Sequence, residues 1–245
     1  MTLARLHRDM AVGSPLALDL DRGDHEPARI DRLRDVVLGA GFAVDELAIE
    51  ARSIRVSARR ERTLADTVGP GMLLLVCGLN PSLFAADFGV GYARPGNRFW
   101  PAAHAAGLVE RDRDGGGFAD RRRRAGARDG AKVGDAIDAL VCHGIGMTDL
   151  VKRATTGAGD LTATEYREGA ARVERLVRWL RPGAVCFVGL AGWRAAVDPH
   201  AAPGEQAAGF GGVPAYVMPS TSGANAHARL DDLADHLRAA AALSR

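Results

Sequence analysis

MLLLVCGLNPS, residues 72–82, contains the most informative pattern in the chain. Its apolar run ends at Gly78, which is typical of a strand that is buried on both faces of a parallel sheet. AVCFVG at 184–189 and PAYVM at 214–218 have the same pattern. Helical patterns separate these segments, and strands that alternate with helices indicate an α/β domain. The sequence therefore predicts a three-layer α/β sandwich with a mostly parallel central sheet.

Two helical patterns are clear in the second half of the chain. The first spans Thr162–Arg181, where Thr162 and Glu165 match a capping box and Pro182 cannot continue the helix. Its apolar residues recur every three or four positions, which is the spacing of one helix face. The second pattern spans Arg229–Leu243. We expect its apolar face to consist of Leu230, Leu233 and Leu237.

Residues 1–70 have a different pattern and end in linker-like segments at 59–62 and 68–71. Their order of elements weakly resembles the C-terminal end of a Rossmann-type methyltransferase, but the Gly-rich cofactor loop of such an enzyme is missing. We interpret them as a small N-terminal α/β extension of unknown role, attached to a domain at 71–245 that should function without it. The predicted elements are the strand Pro15–Leu20, the helix Ala28–Gly39 and the strands Phe42–Glu50 and Ser53–Ala58.

The composition is that of an ordinary globular protein, because 47% of the 245 residues are hydrophobic and 25% are charged. The three cysteines lie far apart, which excludes a zinc ribbon or disulfide scaffold and favours a cytoplasmic location. The longest apolar stretch, Met72–Leu79, is far shorter than the ~20 residues of a membrane span. The net charge of +2 means that nucleic-acid binding would need a local basic patch. Arg111–Gly134, rich in Arg and Gly, is predicted to be a flexible loop that either contacts phosphate or is simply solvated.

Candidate binding loops follow the predicted strands, because ligands of open α/β sheets bind beyond the carboxyl ends of the strands. These loops come after Cys77, Gly189 and Met218. Asn80 is the most prominent polar residue there, and it is either a functional amide or an Asx turn that shapes the chain before Pro81. The segment after Met218 has three hydroxyls before a predicted helix, which is typical of a phosphate site. The sequence contains no GxSxG, HExxH or Walker lysine motif and no histidine pair at metal-binding spacing.

Three ordered motifs carry a resemblance to a known family. They are GLNPS at 78–82 with RPGNRFW at 94–100, GIGMTDLVKRATTGAGDLTATEYREG at 144–169, and MPSTSGAN at 218–225. Together they resemble the mismatch-specific uracil/thymine-DNA glycosylase family, that is, the G/U mismatch-specific DNA glycosylases, over residues 72–245. The resemblance implies a uracil-DNA-glycosylase-like fold. It also implies that the protein flips a base out of the duplex and lets water attack the glycosidic bond. The expected substrate is uracil paired with guanine, with thymine and small pyrimidine adducts as further candidates.

The same resemblance implies a role for each matching residue. Asn80 orients the attacking water, with Thr155 close to that water as a second catalytic residue. Tyr92 stacks on the flipped base, and the backbone at Leu79 contacts the uracil oxygens. Asp149 either accepts a hydrogen bond from the ring N–H or repels the leaving anion. The DNA-binding loop is implied to consist of Ser220, Thr221, Ser222, Gly223, Ala224 and Asn225.

Several positions depart from the family pattern, and alternatives stay open. Ser82 stands where a glycine is more common and could narrow the pocket. Ala224 is a small wedge, so Asn225 could share that task, and Met218 replaces the histidine of other uracil-glycosylase families; we expect slow turnover. The simpler interpretations are core packing for Leu79 and Tyr92, and loop or helix capping for the hydroxyls. The resemblance implies a monomer that needs no metal or other cofactor, with double-stranded DNA carrying a mismatched or damaged pyrimidine as its partner. The alternatives are an inactive DNA-binding protein on the same fold and a nucleoside-processing hydrolase.

Overall fold

The computed structural model describes residues 2–21, 27–109 and 134–244. The flexible loop predicted at 111–134 lies outside these residues, except that its last residue begins a helix. Within the described ranges, no helix is both long enough and apolar enough to cross a membrane.

The first part of the chain forms a three-stranded antiparallel sheet. The strands follow the order β1-β3-β2, and buried apolar side chains of the sheet and of α2 form their own core. The predicted strands and helix of this part are therefore present, but Arg59 and Arg60 belong to β3 rather than to a linker. The element bounds are α1 Leu3–Asp9, β1 Pro15–Asp21, α2 Pro27–Gly39, β2 Phe42–Ile49 and β3 Ser53–Arg60.

The second part of the chain contains a five-stranded central sheet in the order β5-β4-β6-β8-β7. The first four strands of that order are parallel, and β7 runs antiparallel at the edge. The strands are β4 Leu74–Gly78, β5 Ile145–Asp149, β6 Ala184–Val188, β7 Gly204–Phe210 and β8 Val213–Met218. The helices are α3 Leu83–Phe88, α4 Phe99–Ala105, α5 Gly134–His143, α6 Ala163–Leu180, α7 Leu190–Ala196 and α8 Leu230–Ala242.

Helices cover both faces of the central sheet. Successive residues of β4 point to opposite faces: Val76 joins a core with α4, α5 and α8, and Leu75 joins a second core with α6 and α7. Both side chains are fully buried. This arrangement confirms the predicted three-layer α/β sandwich with a mostly parallel sheet.

The two helices predicted in the second half are present. Thr162 and Glu165 form the predicted capping box at the start of α6. In α8, Leu233 and Leu237 are fully buried, whereas Leu230 is 39% exposed. The prediction for Leu230 was wrong because this residue begins the helix and lies outside the buried stripe.

The N-terminal part packs on the second part through polar contacts. Asp35 of α2 forms an ion pair with Arg175 of α6 at 2.7 Å, and the Thr63 hydroxyl donates to the carbonyl of Lys152. A cavity of about 410 Å³ lies between the two parts, and Phe42 and Leu83 are among its lining residues. The division of the chain near residue 70 stays a prediction.

Candidate active site

The candidate site lies at the carboxyl edge of the central sheet, as open α/β sheets predict. Gly78 at the end of β4 pairs with Asp149 at the end of β5. Beyond the strands, Ser82 forms an isolated parallel bridge with Thr155, so the loops after β4 and β5 are joined. The loop after β8 is joined to residues 94–98 by a backbone hydrogen bond. Three segments that are distant in sequence therefore meet at one edge.

The side chain of Asn80 is fixed by hydrogen bonds from its amide nitrogen. Nδ2 lies 2.8 Å from Thr155 Oγ1, 3.0 Å from the Arg153 carbonyl and 3.2 Å from the Pro81 carbonyl. Two of these partners are carbonyls, which only accept, so the nitrogen must face them. The Thr155 hydroxyl donates to the Gly157 carbonyl at 2.8 Å and is thereby oriented to accept from Asn80. Within the described residues, no donor contacts Asn80 Oδ1, which leaves this oxygen as an acceptor for a ligand or water.

Leu79 contributes its side chain and its backbone to different tasks. The side chain packs under α7, since a Cβ on Gly192 would lie 2.6 Å from Leu79 Cδ1. The backbone N–H groups of Leu79 and Asn80 donate to no acceptor in the described parts of the chain. Two adjacent unpaired N–H groups at the end of a parallel strand can stabilise a negatively charged oxygen. Core packing of the Leu79 side chain and a binding role for its backbone are therefore compatible.

Tyr92 lies against the end of β4. Its ring stacks on Phe99, with centroids 4.1 Å apart and an angle of 18° between the planes. Its hydroxyl is buried and has no hydrogen-bond partner in the described residues. A Cβ on Gly78 would lie 3.0 Å from this hydroxyl and 2.6 Å from Asp149 Oδ1. Glycine is therefore required at position 78 by close approach, and Tyr92 and Asp149 meet above it.

The carboxyl group of Asp149 is partly buried, and no described residue donates a hydrogen bond to it. Burial raises its pKa, nearby Asp66 raises it further, and Lys152 and Arg172 oppose this, so the pKa of Asp149 is about 6. The backbone carbonyl of Asp149 accepts from Arg172 Nη2 at 2.7 Å. Asp149 is thus an acceptor that is positioned by its backbone, and its side chain has no hydrogen-bond donor among the described residues.

Asp66 organises a buried charge network below Asp149. Its carboxylate accepts from Lys152 Nζ at 2.7 Å, Thr148 Oγ1 at 2.8 Å and Arg172 Nη1 at 2.9 Å. Burial opposes the ionisation of Asp66, but Lys152 and Arg172 outweigh it and lower the pKa of Asp66. The sequence analysis missed this network, because its members are 82 to 106 residues from Asp66 in sequence and no local pattern connects them.

The loop after β8 is shaped by its own polar groups. Ser220 Oγ accepts from the N–H of Ser222, and Ser222 Oγ accepts from the N–H of Ala224. Asn225 Nδ2 donates to the Ser220 carbonyl at 2.8 Å. Gly223 and Ala224 form the exposed tip. The capping interpretation of the hydroxyls therefore holds, while both serine hydroxyl protons remain available to a ligand.

Two details of this loop differ from what the sequence suggests. Thr221 is only 1% exposed, so its side chain does not reach a phosphate in this conformation. The amide of Asn225 is bonded within the loop, which leaves Ala224 as the tip residue without help from Asn225. In addition, α8 begins only at Leu230, so the hydroxyls do not lie at its N-terminus.

Arg98 connects the loop after β8 to the loop after β4. Its guanidinium donates to the carbonyls of Ser222 at 3.1 Å and Asn225 at 2.6 Å, and also to the carbonyl of Ala228. Its backbone N–H donates to the Thr221 carbonyl at 2.9 Å. The RPGNRFW motif contains this arginine, but sequence reasoning assigned it no role.

A model of the uracil DNA glycosylase superfamily matches residues 66–243. The chain belongs to the uracil DNA glycosylase superfamily. Membership in this superfamily indicates a DNA N-glycosylase, that is, a hydrolase that acts on uracil in DNA. The match begins at Asp66, so the superfamily region includes the carboxylate that organises the buried network.

In this member of the uracil DNA glycosylase superfamily, the structure brings together Asn80, Thr155, Leu79, Tyr92 and Asp149 at one edge of the sheet. The predicted DNA-binding loop lies beside them. Ser82, in contrast, is the N-cap of α3, and its hydroxyl accepts from the N–H of Ala85. The sequence did not point to several residues that contact these site residues or the loops around them. They are Asp66, Thr148, Arg98, Lys152, Arg153 and Arg172.

Proposed function

We propose that this glycosylase is a monofunctional, mismatch-specific enzyme that excises uracil paired with guanine from double-stranded DNA. Thymine and small pyrimidine adducts are further candidate bases. One observation carries the proposal: the amide of Asn80 is fixed through its nitrogen, and among the described residues neither its oxygen nor the N–H groups of Leu79 and Asn80 have a partner. A water acceptor and an anion-binding pair in one place are what hydrolysis of a glycosidic bond requires.

The chemical step follows from these groups. Asn80 Oδ1 accepts a hydrogen bond from a water and holds it near C1′ of the flipped nucleotide. The bond between C1′ and N1 breaks, and its electron pair stays on the uracil. The water oxygen bonds to C1′, and the proton that it loses reaches the uracil anion through solvent. An amide is a weak base, but an oxocarbenium-like centre needs a positioned water more than a basic one. Thr155 acts here as a positioning residue that fixes the amide.

The base is recognised by three groups around Gly78. The Tyr92 ring stacks on the flipped base, and the backbone N–H groups of Leu79 and Asn80 bind its oxygens. The ionised carboxylate of Asp149 accepts the ring N–H of uracil. Its lack of any donor among the described residues supports this role.

DNA is held by the loop after β8. The hydroxyl protons of Ser220 and Ser222 donate to phosphate oxygens, and the exposed tip at Gly223 and Ala224 enters the duplex. The methyl group of Ala224 fills little of the space that a flipped base leaves, so we expect turnover to be slow.

We propose that no lysine amine of the enzyme cleaves the sugar. The chain has two lysines, and Lys152 is ion-paired with Asp66 at 2.7 Å, while Lys132 lies outside the described residues. We propose that the protein acts as a monomer in the cytoplasm, without a metal or other cofactor.

The test uses end-labelled duplexes with one G·U, G·T or A·U pair, beside single-stranded DNA that contains uracil. We expect alkali-dependent cleavage at uracil, fastest for G·U, and no cleavage without alkali. Equal cleavage rates for the G·U and A·U duplexes would contradict the proposed mismatch specificity. Binding to the G·U duplex without release of base would favour the inactive DNA-binding protein, and cleavage of free deoxyuridine alone would favour a nucleoside hydrolase.

A further inference from the structure

The loop at residues 219–228 contains no Lys, Arg, Asp or Glu. Proteins hold DNA largely through positive charge on phosphate, and such charge commonly comes from Arg or Lys. His227 is the only basic side chain of the loop, so if this loop meets DNA, the charge of an arginine or lysine has to come from a neighbouring segment.

Arg98 places a guanidinium directly under this loop. Its contacts are to the carbonyls of Ser222, Asn225 and Ala228, which together span most of the loop. No carboxylate in the described part of the chain forms an ion pair with Arg98, and its Nε is buried without a partner. No described carboxylate therefore neutralises the charge of this side chain.

The turn that carries Arg98 also packs closely on the loop. A Cβ on Gly223 would lie 2.9 Å from the Gly96 carbonyl oxygen, so the two backbones touch. The Arg98 N–H donates to the Thr221 carbonyl next to this contact. Side-chain and backbone contacts thus fix the loop to the 94–98 turn along its length.

We propose that Arg98 is a positioning residue that holds the 219–228 loop in its DNA-binding shape and supplies the positive charge that the loop lacks. The proposal rests on the proposed function, because it names what makes this loop fit DNA. A fork of nitrogen donors suits this task, since one planar group satisfies several carbonyls in a fixed geometry. Lysine would keep the positive charge but could not donate to several carbonyls from one planar group.

The test compares Arg98→Ala and Arg98→Lys with Arg94→Ala. Arg94 is an exposed arginine in the same turn, and its guanidinium makes no hydrogen bond within the described residues. We expect Arg98→Ala to speed hydrogen exchange of the loop amides and to raise KM for a G·U duplex by at least ~10-fold, with kcat changed little. Arg98→Lys should show faster loop exchange and a smaller rise in KM. Arg94→Ala should leave loop exchange unchanged.

Added guanidinium ion should restore part of the affinity of Arg98→Ala, and sodium chloride at the same ionic strength should not. Unchanged loop exchange in both Arg98 variants would overturn the proposal, as would a fall in kcat with KM unchanged. If Arg98→Ala does not fold, the results for Arg98→Lys decide whether the proposal holds. If the wild-type protein neither binds nor cleaves the duplex, the proposed function fails, while the exchange data still decide whether Arg98 holds the loop.

Discussion

At the scale of single residues, Asp149 is the ionisable group that faces the proposed base. Its pKa of about 6 makes its charge change near neutral pH. We expect kcat/KM for a G·U duplex to fall roughly tenfold from pH 7 to pH 5, because the neutral carboxyl group accepts the ring N–H much more weakly than the carboxylate does. Asp149→Asn keeps an acceptor oxygen at every pH, so the profile of this variant should be flat over the same range. A wild-type rate that rises on acidification would instead show that repulsion of the leaving anion dominates.

The same pKa has a consequence for stability. The folded-state pKa of Asp149 lies above its ordinary value of 3.8, so the free energy of unfolding declines as pH rises from about 4 to about 6. Asp149→Asn removes this decline. Urea unfolding at pH 8 should therefore show the variant to be more stable by about 2 kcal/mol, with no difference near pH 4.

Gly78 is needed for space rather than for backbone conformation. A methyl group at this position would lie 2.6 Å from Asp149 Oδ1 and 3.0 Å from the Tyr92 hydroxyl. We expect Gly78→Ala to lower single-turnover excision at least ~10-fold, because displaced binding groups weaken the transition state. Gly159→Ala is a control for any general effect of adding a methyl group, since a Cβ on Gly159 meets no atom within 4 Å and the φ of Gly159 is not positive. Equal loss of activity in both variants would contradict the assignment of the pocket.

At the scale of elements, the end of β5 depends on Asp66. Asp66→Asn leaves Lys152 and Arg172 buried without a counter-ion, so we expect a loss of about 3–5 kcal/mol of unfolding free energy. Asp87→Asn breaks an exposed pair with Arg62 and should change stability by at most about 1 kcal/mol. Urea unfolding at neutral pH measures both. Because the pKa of Asp66 is lowered, the stabilisation by its ionised form should disappear as pH falls below the ordinary value. Equal stability of the two variants would show that the network contributes little.

The elements differ in how far the sequence could predict them. β4 and α6 have local signals, a buried apolar run and a capping box, and both were correctly predicted. β5 has the sequence IGMTD, in which a glycine and two polar residues interrupt the apolar pattern that predicts a buried strand. The short helix α3 lies in the segment after Cys77 that the sequence analysis interpreted as a candidate binding loop.

The candidate site, like the fold, could be predicted from the sequence only in part. The position of Asn80 at a strand end could be predicted, but its two interpretations could not be separated by spacing alone. In the structure, Asn80 Oδ1 accepts from no described backbone N–H, so Asn80 forms no Asx turn. Its Nδ2 donates to the carbonyl of the adjacent Pro81 and to Arg153 and Thr155, far along the chain. Contacts of this kind, like those of Arg98, depend on tertiary packing and leave no local pattern. The functional role of the amide stays a prediction.

At the scale of the whole molecule, function from Gly71 onward stays a prediction, and contacts of two earlier residues argue against it. Asp66 and Thr63 both precede that point and contact the segment that carries Lys152. We expect a chain that begins at Arg62 to keep excision of uracil, and a chain that begins at Gly71 to lose it through unfolding of the β5 end. Circular dichroism and the G·U cleavage assay measure the two outcomes. Full activity of the shorter chain would show that the Asp66 network is dispensable.

The proposed mechanism requires Asn80 in the chemical step. This requirement can be tested by measuring single-turnover excision from a G·U duplex by Asn80→Ala, beside duplex affinity. We expect a fall of at least ~100-fold in the excision rate, the scale of losing one well-placed polar group in a transition state. Duplex affinity should stay nearly unchanged, because in the proposed mechanism the 219–228 loop holds the DNA. Excision at the wild-type rate by a folded Asn80→Ala protein would contradict the proposed mechanism.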